Sequence, residues 1–157
     1  MRKVRSIALL LLILSFSVML SCCAGRGPSA GPDEIILSVG FETEDDVYQV
    51  AVEYWAGDTF CGGTASSHAD GSRFSRNETA SFIFDPSMFP DGKLPEKMSV
   101  SFMLADSLEH MDIESLAGRV GFCDPCDYGP FDVLPGTVYR FVLSGSFSEG
   151  FRLSAED

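Results

Sequence analysis

Basic residues are scarce in this chain of 157 residues, which has 11 Lys and Arg against 23 Asp and Glu and a formal net charge of −12. Three of the basic residues, Arg2, Lys3 and Arg5, lie in the first 21 positions, which hold no acidic residue. The remainder has eight basic and 23 acidic side chains, a net charge of −15. Because binding to a phosphate backbone needs clustered Lys and Arg, this balance argues against a nucleic-acid partner and against adhesion of the protein surface to anionic lipid.

Sequence motifs of known catalytic chemistries are also missing. The chain has no Gly-x-Ser-x-Gly elbow, no Walker-type loop with Lys and no His-Glu-x-x-His, and its only histidines are His68 and His110. The acidic run at residues 42–46 lacks the spacing of a calcium loop. We therefore predict no catalytic residue, no bound metal and no cofactor. The residue types of a hydrolytic triad do occur side by side, but triads join separate segments, so we predict an exposed polar loop at Ser66, Ser67, His68 and Asp70.

A long hydrophobic run is absent except at residues 7–20, which follow the basic N-terminus and contain only Ser15 and Ser17 as polar residues. This run is shorter than the roughly 20 residues that span a bilayer comfortably, and it leads directly into small residues and cysteine. A signal peptide has a positively charged start, an apolar core and small residues at its end, and residues 1–21 have this layout. We therefore predict export with removal of residues 1–21.

The residues Val18-Met19-Leu20-Ser21-Cys22 resemble the lipobox of bacterial lipoproteins, although Met19 stands where the family usually has leucine. The resemblance covers only the first two dozen residues. It implies that Cys22 becomes the diacylated N-terminus, with Cys23 as the fallback, and that acyl chains hold the protein at the cell membrane or outer membrane. Two chains on one cysteine anchor stably, whereas one chain is marginal.

The mature chain divides into a tether and one domain. Residues 22–32 are rich in Gly, Pro, Ser and Ala and too poor in apolar side chains to pack, so we predict a lipidated N-terminus followed by a flexible linker. From residue 33 to 157 the hydrophobic pattern is periodic, which predicts a single domain of ordinary small size.

The period of that pattern is two, which is typical of half-buried strands. Alternating apolar residues run through residues 35–41, 48–54, 80–84, 98–104 and 139–143. Turn-forming Pro and Gly separate them, so we predict an all-β fold, an antiparallel β-sandwich of immunoglobulin-like or similar type with six to eight strands, or a small open barrel. The first two runs are expected to form a hairpin, and so are the last two strands, around Gly145.

Helical signals are few. Leu108, Met111 and Leu116 only roughly share a face, and they allow one short helix at residues 107–116. The pair Asp85-Pro86 predicts one further helical turn, because Asp is a favoured N-cap and Pro a favoured first helical residue.

Three cysteines remain in the domain, Cys61, Cys123 and Cys126, and the last two form a CxxC motif. A thioredoxin-like site needs the first cysteine at a helix N-terminus, but Gly129-Pro130 follows closely and does not continue a helix. Asp124 and Asp127 raise the pKa of a nearby thiol, whereas a redox cysteine needs a lowered one. The motif therefore does not predict a redox site. The three are disulfide candidates, since exported chains meet oxidising conditions. We expect Cys61 in a loop after the Trp55 strand, from which it could pair with either CxxC cysteine. A local bridge between Cys123 and Cys126, free thiols, and a thiol- or zinc-dependent protein are the alternatives.

Aromatic residues at strand ends suggest where a ligand binds. Trp55 ends a predicted strand, and Tyr128 and Phe131 lie in the segment after the CxxC, so the three are ligand-facing candidates if those ends coincide. The sequence thus predicts a non-enzymatic, lipid-anchored binding or interaction domain of the cell envelope with an unassigned protein or glycan partner. The alternative is a structural or accessory subunit of an envelope complex without a small ligand.

Overall fold

Eight β-strands form the regular structure of the part of the chain that can be described. The computed structural model describes residues 28–76, 78–109 and 121–156, in which one turn of 3-10 helix, Pro86–Met88, accompanies the strands. In the same residues no helix has the length and apolar character to cross a membrane. The strands are β1 Ile35–Thr43, β2 Gln49–Ala56, β3 Thr59–Ser67, β4 Thr79–Phe84, β5 Lys97–Ala105, β6 Cys126–Asp132, β7 Thr137–Ser146 and β8 Gly150–Ala155.

The strands make two four-stranded sheets that pack against each other. One sheet has the order β4-β1-β7-β8 and the other the order β3-β2-β5-β6. This is a β-sandwich, which confirms the predicted fold class. The described strand pairs are antiparallel except for β1 and β7, which run parallel with Ile35 opposite Thr137.

Of the two predicted hairpins, one is confirmed and one is wrong. β7 and β8 form an antiparallel hairpin in which Gly145 pairs with Phe151 and residues 147–149 make the turn. β1 and β2 do not pair, because the acidic connector at residues 44–48 carries the chain from one sheet to the other. Period-two alternation identifies a half-buried strand but does not say which strand lies beside it, and here β2 pairs with β3 and β5.

The hydrophobic core lies between the sheets and is filled by every second side chain. In β4 the predicted alternation is confirmed, with Phe82 and Phe84 buried and Ile83 exposed. Phe102 of β5 is fully buried, and its ring centroid lies 6.1 Å from that of Phe82 and 6.0 Å from that of Phe141. Each fully buried ring of this kind contributes about 1.5–3 kcal/mol relative to exposure, so these contacts join the two sheets.

The helical turn predicted at Asp85-Pro86 is confirmed. Asp85 is the N-cap, its Oδ1 accepts a hydrogen bond of 2.7 Å from the backbone N–H of Ser87, and Pro86 begins the turn. The other predicted helix, at residues 107–116, falls mostly outside the described residues; the described part, residues 107–109, is not helical.

Candidate functional site

The strand directions give the sandwich two different ends. Four connectors start and finish at one end, which we call the loop end, and their described residues are 44–48, 68–76 with 78, 106–109 with 121–125, and 147–149. The chain enters β1 at the opposite end, which we call the tether end, beside the turn between β6 and β7. There the backbone N–H of Gly136 donates to the carbonyl oxygen of Glu34 at 2.7 Å. Any site on the loop end is therefore separated from the N-terminal segment by the length of the strands.

Hydrogen bonds hold three loop-end connectors together. The backbone N–H of Phe147 donates to Asp45 Oδ2 at 2.7 Å, which joins the β7–β8 turn to the β1–β2 connector. Phe74 donates its N–H to the carbonyl oxygen of Val47 at 2.8 Å, which joins the β3–β4 connector to the same loop. An ion pair between Arg73 and Asp46 lies next to that bond. These three connectors are thus joined into one surface.

Two shallow depressions share Asp106 and the turn at residues 147–148 on this surface. One, of about 580 Å³, includes Cys123 and Asp124, and the other, of about 630 Å³, includes Tyr48. The described loop-end residues include nine carboxylates and two guanidinium groups, so the surface is strongly acidic. The carboxylates are Glu44, Asp45, Asp46, Asp70, Glu78, Asp106, Glu109, Asp124 and Glu149. Across residues 28–76, 78–109 and 121–156, no three His, Cys, Asp or Glu residues are placed to hold one metal ion.

The polar loop predicted around His68 contains a hydrogen-bonded cluster at the loop end. His68 Nδ1 lies 2.7 Å from Ser72 Oγ, and Ser72 Oγ donates to Asp70 Oδ1 at 2.7 Å. Asp70 also accepts the backbone N–H of Ser72, and these hydrogen bonds lower the pKa of Asp70, which keeps it a carboxylate. Because the hydroxyl proton of Ser72 points to Asp70, His68 is not placed to remove it. The cluster stabilises a turn rather than activating a nucleophile.

Sequence reasoning named His68 and Asp70 in this cluster but missed Ser72 and Glu78. Glu78 Oε2 lies 3.8 Å from His68 Nε2 and accepts the backbone N–H of Ser75 at 2.6 Å. The Asp70-Gly71-Ser72 sequence was the available signal, because an Asp two residues before Ser commonly accepts from its backbone N–H. Ser66 and Ser67 lie in β3 and not in the loop.

The three thiols of the domain are unpaired, and Cys61 is far from the other two. Cys61 lies in β3, not in the predicted loop, and Cys126 lies in β6 at the other edge of the same sheet. Three strand spacings of about 4.8 Å separate these edges by roughly 14 Å, whereas a disulfide needs Cα atoms within about 7 Å. The structure therefore does not bring Cys61 within disulfide distance of the CxxC motif, and the same distance prevents Cys61, Cys123 and Cys126 from sharing one zinc ion.

Cys123 and Cys126 sit against the core beside β5. Cys123 Sγ accepts the backbone N–H of Leu104 at 3.2 Å, and Cys126 is buried opposite Phe102. Burial, followed by the neighbouring Cys123 and Asp127, raises the pKa of Cys126 to about 11. Burial also raises the pKa of Cys123. Both groups are therefore neutral thiols at physiological pH, and neither is poised as a nucleophile.

The three aromatic candidates do not form one patch. Tyr128 and Phe131 face the core side of β6, with ring centroids 5.8 Å apart, and Tyr128 lies 4.9 Å from Phe141 in an edge-to-face contact. Trp55 follows the core residue Tyr54, so it points to the outer face of the same sheet, where its ring centroid lies 5.5 Å from that of Phe60. The predicted ligand-facing set is therefore divided between two faces of one sheet.

A small notch opens where Tyr128 and Phe131 reach the surface. It is about 280 Å³, is floored by these rings with Tyr139 and Phe141, and is rimmed by Arg140 and Glu156. Tyr139 closes one side, because its hydroxyl donates to the carbonyl oxygen of Asp132 and accepts the N–H of Leu134, both at 2.8 Å. This volume is at the lower limit for an organic ligand, and the rings mainly seal the core. The lipidation candidates Cys22 and Cys23, and His110, lie outside the described residues.

Comparison with known proteins gives only distant likenesses. No protein-family model and no curated protein matches the chain. Among solved structures, a protein from Eubacterium rectale aligns with 83% of this chain and 96% of its own, at 13% identity and a TM-score of 0.40. The membrane-binding domain of pneumolysin aligns with 79% of this chain and 96% of its own, at 8% identity and a TM-score of 0.35.

A disulfide-locked mutant of intermedilysin, solved with human CD59, aligns with 78% of this chain at 8% identity and a TM-score of 0.35. The aligned part is 24% of that protein, so this chain spans about a quarter of its length. At these values the likenesses assign neither a family nor an activity to this chain.

Proposed function

We propose that this protein is an exported bacterial lipoprotein, anchored through acyl chains on Cys22, whose β-sandwich is a non-catalytic binding or interaction domain of the cell envelope. Export and membrane anchoring are inferred from the basic N-terminus, the apolar run and the lipobox-like residues up to Cys22. The observation that carries the binding role is the position of the four loop-end connectors, at the end of the sandwich opposite the one where the tether enters.

The lengths of the linker and of the strands determine how far the loop end lies from the membrane. Twelve residues from Cys22 to Glu34 reach at most about 40 Å, and about 19 Å on average as a flexible chain. The strands then add about 30 Å before the loop end is reached, since a strand rises about 3.3 Å per residue. An anchored molecule therefore holds its loop end some 50 Å from the membrane, where a partner in the envelope meets it first.

The loop end has the features of a partner surface rather than of an enzyme site. Three of its four connectors are hydrogen-bonded to one another, which reduces the ordering cost when a partner binds. Its two depressions are open and acidic, and the Ser72 hydroxyl and the CxxC thiols are held in unreactive states. We expect a partner that contacts Asp106 and Asp124 with positively charged or hydrogen-bond-donating groups.

Mass spectrometry of the membrane-extracted chain tests the anchoring. We expect a mature mass that begins at Cys22 with at least two acyl chains. Cys22→Ser should abolish acylation, while the matched variant Cys23→Ser should leave the mass shift intact. A mass that begins at Met1, or one without two acyl chains, would contradict the proposal.

Affinity purification after mild detergent extraction tests the binding surface. The paired substitution Asp106→Asn and Asp124→Asn should reduce recovery of a stoichiometric partner. The matched control, Asp58→Asn with Asp91→Asn, removes two exposed carboxylates from the tether end and should not. If only the control variant Asp58→Asn with Asp91→Asn lost the partner, the partner would bind at the tether end, which would contradict the proposal.

A further inference from the structure

The flank of the sandwich made by β3 and β4 carries no charge. β3 is the edge strand of one sheet, β4 is the edge strand of the other, and the two lie close in space. Their nine and six residues include no Asp, Glu, Lys, Arg or Pro, although 22% of the chain is charged. Edge strands of monomeric proteins commonly carry charge or proline, because an unprotected edge pairs with other chains.

The opposite flank, made by β6 and β8, has these protective features. β6 contains Asp127, Pro130 and Asp132, and its pairing with β5 is interrupted by a register shift. β8 is six residues long and carries Arg152. The two flanks therefore differ in charge and proline, which are present in β6 and β8 taken together and absent from β3 and β4.

The free edge of β3 offers a row of backbone hydrogen-bonding groups. In an antiparallel edge strand, every second residue directs its N–H and C=O away from its neighbour. Within the described part of the chain, the outward groups of β3 bond to no other strand, and the nearest side-chain contact is that of the Cys61 thiol to the carbonyl of Thr59. A register shift near Tyr54 affects only the first residues, so Gly62 to Ser67 form a regular edge.

Each of the two edge strands also exposes one large apolar side chain, which is directed to the outer face of its own sheet. Phe60 of β3 is 56% exposed and Ile83 of β4 is 55% exposed, and they are two of the three large hydrophobic residues exposed in the described chain. The β3 edge therefore combines free backbone groups with one exposed apolar side chain, Phe60.

We infer that β3 pairs antiparallel with β3 of a second copy of this chain, joining two four-stranded sheets into one sheet of eight strands. The distribution of charge favours a second copy of this chain as the partner. Two copies, each with a net charge of −12, repel one another where carboxylates face each other, and the β3 edge brings none together. A basic partner would gain nothing at an uncharged edge, whereas an identical edge is complementary to itself about a two-fold axis.

Ala65→Glu tests this pairing, because Ala65 is exposed on β3 and the substitution places two like charges near the axis. The matched control is Ala155→Glu, the same change at an exposed position of β8 on the opposite flank. Sedimentation of the full chain in a non-ionic detergent should show a concentration-dependent dimer for the unmodified protein and for Ala155→Glu. Ala65→Glu should raise the dimer dissociation constant by at least about tenfold.

Hydrogen exchange of the unmodified chain gives a readout that does not depend on the variant folding. Amides of residues 59–67 should exchange more slowly as protein concentration rises, while those of residues 126–132 should not change. A monomer at all concentrations, concentration-independent exchange of β3, or a dimer lost only in Ala155→Glu would overturn the inference. The pairing does not depend on lipid anchoring, so its failure would leave the proposed function standing.

Discussion

The phenol ring of Tyr54 covers the α-carbon of Gly62 on the neighbouring strand. A β-carbon at residue 62 would stand 3.0 Å from the hydroxyl oxygen of Tyr54, and the backbone of Gly62 has φ of 152°. Tyr54 is fixed from the other side, since its hydroxyl donates to the carbonyl oxygen of Met88 at 3.2 Å and its ring packs edge-to-face on Phe84 and Phe89. These contacts hold the ring in place against Gly62.

Gly62→Ala should therefore destabilise the fold by about 1–3 kcal/mol, because it combines overpacking with a backbone conformation that favours glycine. The matched control is Gly63→Ala, where the nearest atom is the Val52 carbonyl oxygen at 3.4 Å and φ lies outside the left-handed region. We expect the control to cost less than about 1 kcal/mol. Urea unfolding compares the two free energies, and equal losses would show that Tyr54 yields easily.

Phe102→Ala should be among the most damaging single substitutions. The side chain is fully buried and contacts rings of the opposite sheet, so its removal should cost about 3–5 kcal/mol through lost burial and an unfilled cavity. Phe60→Ala removes the same side chain from a position that is 56% exposed and should cost less than about 1 kcal/mol. Thermal unfolding at low protein concentration measures both, and comparable shifts in Tm would contradict the assignment of the core.

Cys126 should be alkylated slowly in the folded protein. With its pKa raised from 9.0 to about 11, the thiolate fraction at pH 8 falls about a hundredfold, to roughly 0.1%. We expect iodoacetamide to modify Cys61 first, because Cys61 lies on an exposed edge strand, and the rate at Cys126 to rise about tenfold per pH unit below pH 11. Peptide mass spectrometry after timed quenching resolves the sites. Rapid labelling of Cys126 at pH 7 would show that the thiol is not buried as described.

Asp85 should make the stability depend on pH in the acid range. Hydrogen bonds from the Ser87 hydroxyl, at 2.5 Å, and from the Ser87 N–H hold the pKa of Asp85 below its ordinary value of 3.8. A carboxyl group whose pKa is lower in the folded state stabilises the protein above pH 4, and this contribution is lost as pH falls through the folded pKa. Asp85→Asn should weaken the dependence of Tm on pH between pH 4 and pH 2. Asp91→Asn removes a carboxylate from the same connector without touching Ser87, and an equal effect there would contradict this role.

The strands themselves could be predicted because burial on one face imposes a period of two. Ile35, Phe82 and Phe102 lie at positions that the alternation assigned to the core, and all three are buried. The pairing of strands could not be predicted. The partner of Ile35 on β7 is Thr137, 102 residues further along the chain, and nothing in either segment identifies the other.

The candidate sites were harder to predict because they depend on which faces and ends the topology brings together. Trp55 and Tyr128 lie in one sheet, yet the period of two directs the first outward and the second toward the core. The glycines next to Cys61 led to the prediction of a loop, but Cys61 lies within a strand, at the opposite edge of the sheet from Cys126. Local chemistry was the more predictable part: Asp124 and Asp127 do raise the thiol pKa values of the CxxC motif, with burial as the larger cause.

The parallel pairing of β1 with β7 also sets the order in which the domain can form. β1 is hydrogen-bonded between β4 and β7, so one of its two partners is synthesised about half way along the chain and the other only after four-fifths of it. Closing so long a loop is slow, and a fold dominated by such distant contacts forms on a timescale of milliseconds to seconds. The sheet that contains β1 can therefore be completed only after β7 has been synthesised.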